Sequence, residues 1–320
     1  MNEEVFKHIF SKVLIPIIDD LKNLKITNTL QQVLILICEL FGSQYHFSEA
    51  IIDIYLEKIT EIITCNHEES SVIGIECLQY LIDKLCEIGS TDFWHSICVT
   101  LSNVFQKTIQ YEFKTLNIEK LNNIEIHDEI QELVNRNIVN CIVQHNIIQL
   151  SESLVENYFK KIRVSDLNFI LDCLHDSYCL AYDFNCEFEV RSLISSKFMS
   201  DLTQVAALFK QQKDGSALYF QILKQFVERI SFEDTDEYEI HENNRLIANM
   251  VPIIINHVIP SLIKINFENE TDYFEEFTKR FLEMIVCNIY EIRENIKELL
   301  SFIFFKMSIG NNNEDEKEVE

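Results

Sequence analysis

The densest run of reactive side chains is LDCLHDSYCLAYDFNCEFEVRSLI, residues 171–194. It holds Cys173, His175, Cys179 and Cys186. Thiolate and imidazole together could ligate zinc or form a nucleophile and its base. Spacing decides between that chemistry and a core. On an α-helix each residue turns by about 100°, so Cys173 and Cys179 point about 120° apart. His175 and Cys179, four residues apart, share a face. Two ligands fall short of the four of a structural zinc site. The competing pattern is cleaner: Leu171, Leu174, Tyr178 and Ala181 form an apolar stripe at 3-4-3 spacing. The stretch therefore reads as the wall of a helical core, with Cys173 inside it. His95, in FWHSIC, reads as a helix residue on the same ground. No residue is assigned a catalytic, cofactor-binding or metal-binding role, and no cofactor is expected.

Other chemistry is excluded by motif. The five glycines are Gly42, Gly74, Gly89, Gly215 and Gly310, too scattered for a P-loop, a GxGxxG turn or a GxSxG elbow. Neither HExxH nor CxxC occurs. Carboxylates are spread along the whole chain and single out no site.

The elements that carry these residues are helices. Five Gly and three Pro in 320 residues are too few for the turns of a sheet-rich protein. Apolar residues recur at helical spacing from end to end, as with Phe6, Ile9, Phe10, Val13, Leu14 and Ile17. Further helices are expected at about 27–41, 48–65, 70–87, 92–113, 126–150, 165–182, 187–198, 202–212, 216–231, 243–266, 271–289 and 291–307. Ser48, Ser165, Asn185 and Thr271 are expected to cap helix starts. The fold class is all-α, an α-solenoid of HEAT- or armadillo-like antiparallel helix pairs. No fixed repeat period is visible, and a compact helical bundle is the alternative. The stack is expected over 1–231 and again over 245–308. An acidic loop at 232–244 and a charged, disordered tail at 309–320 complete the chain.

A net charge of −25 argues against nucleic acid as partner and against docking on anionic lipid. Two readings remain: a solvated acidic surface, which is the favoured one, and a surface that meets a basic protein partner. The ten cysteines sit mostly in apolar runs, as in LILICEL, and the start MNEEVFKHIF lacks a signal-peptide layout. A reducing, cytoplasmic setting is expected. The most apolar stretch, VPIIINHVIPSLIKI at 251–265, is too short and interrupted to span a bilayer.

Several stretches resemble the C-terminal part of the large ARF guanine-nucleotide exchange factors of the brefeldin A-inhibited type. In 171–194 the resemblance rests on Leu171, Asp172, Cys173, Leu174, Ser177, Ala181, Phe184, Asn185, Arg191 and Leu193. IVNCIVQHNIIQ at 138–149, with Gln144, and LFKQQKDGSALYFQIL at 208–223 flank it. Upstream, IFSKVLIPIIDDL resembles a family helix, ESSVIGIECLQYLI carries Gly74, Cys77 and Leu78, and FWHSICVTLSNVFQKTI begins at a Trp-led helix with Trp94. These pieces follow the family's order over about 5–230. Gln212 and Lys197 depart from its pattern, where it has Glu and Gly. No Leu-Pro-Gly-Glu loop is present, because none of Pro16, Pro252 and Pro260 precedes Gly. The resemblance implies a noncatalytic regulatory scaffold, not an enzyme, in Golgi or endosomal vesicle trafficking. It implies small GTPases of the ARF, Arl or Rab type, or other exchange-factor domains, as partners, with a homodimer as a further option. It also implies peripheral recruitment to those membranes. The rival readings are a general helical-repeat adaptor and, more remotely, an enzyme with an unfamiliar helical site.

Overall fold

The structure is a computed structural model that describes residues 3–123, 125–199, 208–215, 217–218, 221–222 and 225. The chain divides into two compact units, Met1–Leu218 and Tyr219–Glu320. Nearly all of the described residues fall in the first. The expected loop at 232–244, the later helices and the tail lie outside the described residues.

Every element among the described residues is helical. The first is α1 (Glu3–Ile9), which passes through a π-turn (Phe10–Leu14) into α2 (Ile15–Asn23). The π-turn has a local cause. Pro16 has no N–H to donate, and its ring crowds the carbonyl of Lys12. The chain widens just before it, and the Ile15 N–H donates to the Phe10 carbonyl, one residue further back than in an α-helix. Phe6, Phe10 and Ile18 thereby stay buried on one side.

Next come α3 (Thr27–Ser43), α4 (Tyr45–Ile63), α5 (Glu68–Leu85) and α6 (Thr91–Thr108). A 3-10 turn (Tyr111–Thr115) and the short α7 (Ile118–Asn122) lead to α8 (His127–Tyr158). A second 3-10 turn (Phe159–Lys161) precedes α9 (Val164–Cys186) and α10 (Phe188–Phe198). Residues 208–215 are helical as well.

Packing follows alternate elements. α4 packs on α6 and α6 on α9, while α3 packs on α5 and α5 on α8. Cross contacts α4–α5 and α6–α8 join the two rows, and α2 packs on α3. Gly74 permits one of these contacts. A Cβ there would lie 2.7 Å from Ile63 Cγ1 and 3.2 Å from the Ile63 nitrogen, so only hydrogen fits between α5 and α4. Phe10, Phe41 and Tyr55 pack edge to face or tilted, with Phe41 and Tyr55 centroids 5.2 Å apart. A second core gathers Phe113, Phe184, Val190, Ile194 and Phe198 among others around α8, α9 and α10.

Several expected boundaries move. Ser48 lies inside α4, and Ser165 in the first turn of α9, whose N-cap is Arg163. Asn185 belongs to the last turn of α9, and Glu187 stands at the N-cap of α10. The caps whose side chains accept from the first turn are instead His67, Ser90 and Asn117. The helix expected to reach 113 stops at Thr108, where Ile109 turns extended (φ −63°, ψ 131°). α8 runs on to Tyr158, past the expected end near 150.

Candidate interaction surface

The residues carrying the resemblance are mostly interior. Cys77 and Leu78 lie in α5, and Leu171, Cys173 and Leu174 in α9, all buried. The Cys38 thiol donates to the Cys77 carbonyl at 3.9 Å, and burial pushes the Cys77 thiol up to about 12. Cys173 meets Ser102 Oγ at 3.2 Å, and burial, only partly offset by that contact, raises its thiol to about 11. Such thiols stay protonated and unreactive at neutral pH. Trp94 is buried against Phe93 and Tyr158, with centroids 5.3 and 5.1 Å away. Phe184 stacks on Phe113 at 4.8 Å. Asp172 is exposed.

Asn185 donates from Nδ2 to Gln212 Oε1 at 2.8 Å, and its carbonyl accepts from Arg191 at 2.6 Å. The Arg191 guanidinium also lies 4.8 Å from the Phe209 ring centroid. Asn185 and Arg191 therefore tie α9 and α10 to the helical residues 208–215.

Gln144 and Ser177 meet in a buried polar chain. Gln144 Nε2 donates to the Phe105 carbonyl and to Thr108 Oγ1, both at 2.8 Å. Its Oε1 accepts from Ser177 Oγ at 2.8 Å. Ser177 Oγ accepts in turn from Gln211 Nε2 at 2.9 Å, and Gln211 exchanges two hydrogen bonds with Gln110 at 3.1 and 3.2 Å. All five side chains are buried. Burying so many polar groups is tolerable because they satisfy one another. Sequence reasoning assigned no role to Thr108, Gln110 or Gln211. Polar residues at core-facing positions of apolar helices were the available signal.

The Cys/His stretch separates as helix geometry requires. His175 Nδ1 and Cys179 Sγ are 3.3 Å apart, while Cys173 faces α6. Among the described residues, no three His, Cys, Asp or Glu are placed to hold a metal ion. His95 is paired rather than isolated, with Nδ1 2.7 Å from the buried Asp166.

Open grooves lie along α5 and α8. One, of about 370 Å³, is lined by Val72, Ile75, Glu76, Gln79, Asn146, Gln149 and Leu150. Another, of about 530 Å³, is bordered by Glu68, Gln131, Asn135, Ile138 and Val139, with Lys197, Phe198 and Met199 at its end. At about 100° per residue, the lining positions of α8 all fall on one side of that helix, and those of α5 on one side of theirs. Among the described residues, no helix is long and apolar enough to cross a membrane.

A protein whose described elements are all helices, packed on alternate neighbours and with open grooves along their faces, is the class that this geometry defines. The chain belongs to the family of the BIG2 C-terminal domain, whose model matches residues 142–301, half of the sequence. No curated protein and no solved structure matches it. The family match corrects the resemblance drawn from the motifs. Its description names the BIG2 C-terminal domain and no ARF exchange factor, Golgi role or exchange activity. Its range also runs on to 301, whereas the motif resemblance covered about 5–230. Within the match, α9, α10 and the matched part of α8 are helices.

Proposed function

We propose that this chain is a noncatalytic scaffold that works by recognising other proteins, with its helix pairs stacked as a HEAT- or armadillo-like α-solenoid. The observation that carries the reading is the packing of α3 on α5 on α8 beside α4 on α6 on α9. Rows of this kind leave long helix faces open to partners. The side chains best suited to chemistry are spent on structure: buried thiols are held protonated, and buried amides and hydroxyls bond one another. Free thiols at all nine described cysteines suit a reducing, cytoplasmic setting.

Co-purification of the tagged chain tests the reading. A protein partner is expected at near-stoichiometric yield, retained when His95→Ala and Cys179→Ala remove the most accessible reactive pairs. Recovery of the chain with no stoichiometric protein overturns the proposal. So does a small-molecule turnover abolished by either substitution.

A further inference from the structure

We propose that the α5–α8 face binds an extended, basic peptide segment of a partner protein. This inference rests on the scaffold reading and names its site. Three features of the face converge on that ligand.

The first is the carboxamides. Gln79, Asn146 and Gln149 line one groove, and Gln131 and Asn135 the other. Each carboxamide carries a donor and an acceptor, as does each residue of an extended main chain. Among the described residues, Asn146 and Gln149 spend neither group on a side-chain hydrogen bond. Gln79 uses only its Nε2, donated to Asp83 at 2.8 Å. In the other groove Gln131 spends its Nε2 on Asn135 Oδ1 and the Phe198 carbonyl, at 2.9 and 3.1 Å, which leaves its Oε1 and the Asn135 Nδ2 for a ligand.

The second feature is the floor. Val72, Ile75 and Leu150 line one groove, and Ile138 and Val139 the other. An extended chain sends alternate side chains to opposite sides, so apolar residues can face this floor while the others face outward.

Charge is the third feature. Glu76 and Glu68 border the grooves, and Glu76 receives a single neutral donor, Gln31 Nε2, at 2.9 Å. Outward Lys or Arg side chains would supply the missing cations, and the chain's net charge of −25 adds long-range attraction. The one lining cation, Lys197, already donates to the Leu121 carbonyl and to Asn122 Oδ1. The lining from Gln131 to Leu150 on α8 spans about 28 Å at 1.5 Å per residue. That is room for about eight residues of extended chain.

The probe is a fluorescein-labelled nonapeptide of alternating Lys and Val, titrated with the full chain and read by fluorescence anisotropy. Saturable binding is expected, weakened about tenfold by Glu76→Lys and by the pair Asn146→Ala, Gln149→Ala. Glu57→Lys, at an exposed position of α4, makes the same charge change elsewhere and should leave binding within about twofold. Native Trp94 emission certifies that each variant is folded. Equal weakening by Glu76→Lys and Glu57→Lys reduces the effect to bulk charge and overturns the proposal. So does equally tight binding of an all-Lys nonapeptide, which cannot use the floor. If a partner captured by the whole chain survives the groove substitutions, the groove assignment falls while the scaffold reading stands.

Discussion

Replacing Gln144 with Leu tests whether the buried polar chain holds the first unit together. Leu has nearly the same volume, so the perturbation is chemical rather than steric. Gln144 gives two hydrogen bonds and receives one, all at 2.8 Å. The consequences differ by partner. The Phe105 carbonyl still accepts from the Ile109 N–H at 3.0 Å, and Thr108 Oγ1 still donates to the Val104 carbonyl at 2.7 Å. The Ser177 hydroxyl loses its side-chain acceptor in a site closed to water. One orphaned donor and two weakened acceptors cost about 2–4 kcal/mol, less about 1 kcal/mol for no longer burying the amide. With a urea slope of about 2–3 kcal/mol/M, the unfolding midpoint should fall by about 0.3–1.5 M. Trp94 is the only tryptophan and packs against Tyr158 at the end of α8, so its emission reports on this unit. Ser177→Ala in the same background should cost about 1 kcal/mol less than it does alone, because its bond to Gln144 is already gone. Strict additivity, or a midpoint shift below about 0.2 M, would refute the reasoning.

Gly74→Ala should destabilise by about 1–2 kcal/mol in the same urea assay, despite the better helix propensity of Ala, because the new Cβ meets Ile63 at 2.7 Å. In a native thiol titration at pH 8, Cys186, which is exposed, should react first among the nine described cysteines. Cys38, Cys77, Cys141 and Cys173, raised by burial to about 11–12, should react only on unfolding; rapid native labelling of any of the four contradicts their placement. His145 is held below its ordinary value, first by burial and then by Lys210, against the pull of Asp214. The unfolded chain therefore binds the His145 proton more readily, and its contribution to stability is complete above the unfolded value of about 6.5. That contribution should fall as pH drops below it, and His145→Asn should flatten this part of the pH–stability curve.

The helical character of the described residues was legible because period 3.6 and the scarcity of Gly and Pro are properties of the chain itself. The 3-4-3 stripe of Leu171, Leu174, Tyr178 and Ala181 is buried as its spacing required. Helix ends were less legible, because capping depends on backbone geometry rather than residue type. Asn185 is an ordinary N-cap residue, yet α9 continues through it, with its side chain bonded to Gln212 and its carbonyl to Arg191. α6 ends early at Thr108, and just past the bend Gln110 bonds to Gln211, a partner that no local window contains. The groove on α5 and α8 was hidden for the same reason. Each helix contributes an ordinary polar face, and only their side-by-side packing joins carboxamides with an apolar floor.

The chain of bonds from Gln211 to the Val104 carbonyl runs in one direction. Gln211 donates to Ser177, Ser177 to Gln144, Gln144 to Thr108, and Thr108 to Val104. Helices in rows ordinarily fray from the ends inward, since apolar ridges can separate layer by layer. Here, peeling away 208–215 would strand Gln110 and loosen Ser177 in the middle of the layer below. Fraying past that point costs several polar groups at once, so α6, α8, α9 and residues 208–215 should open as one cooperative block rather than in succession.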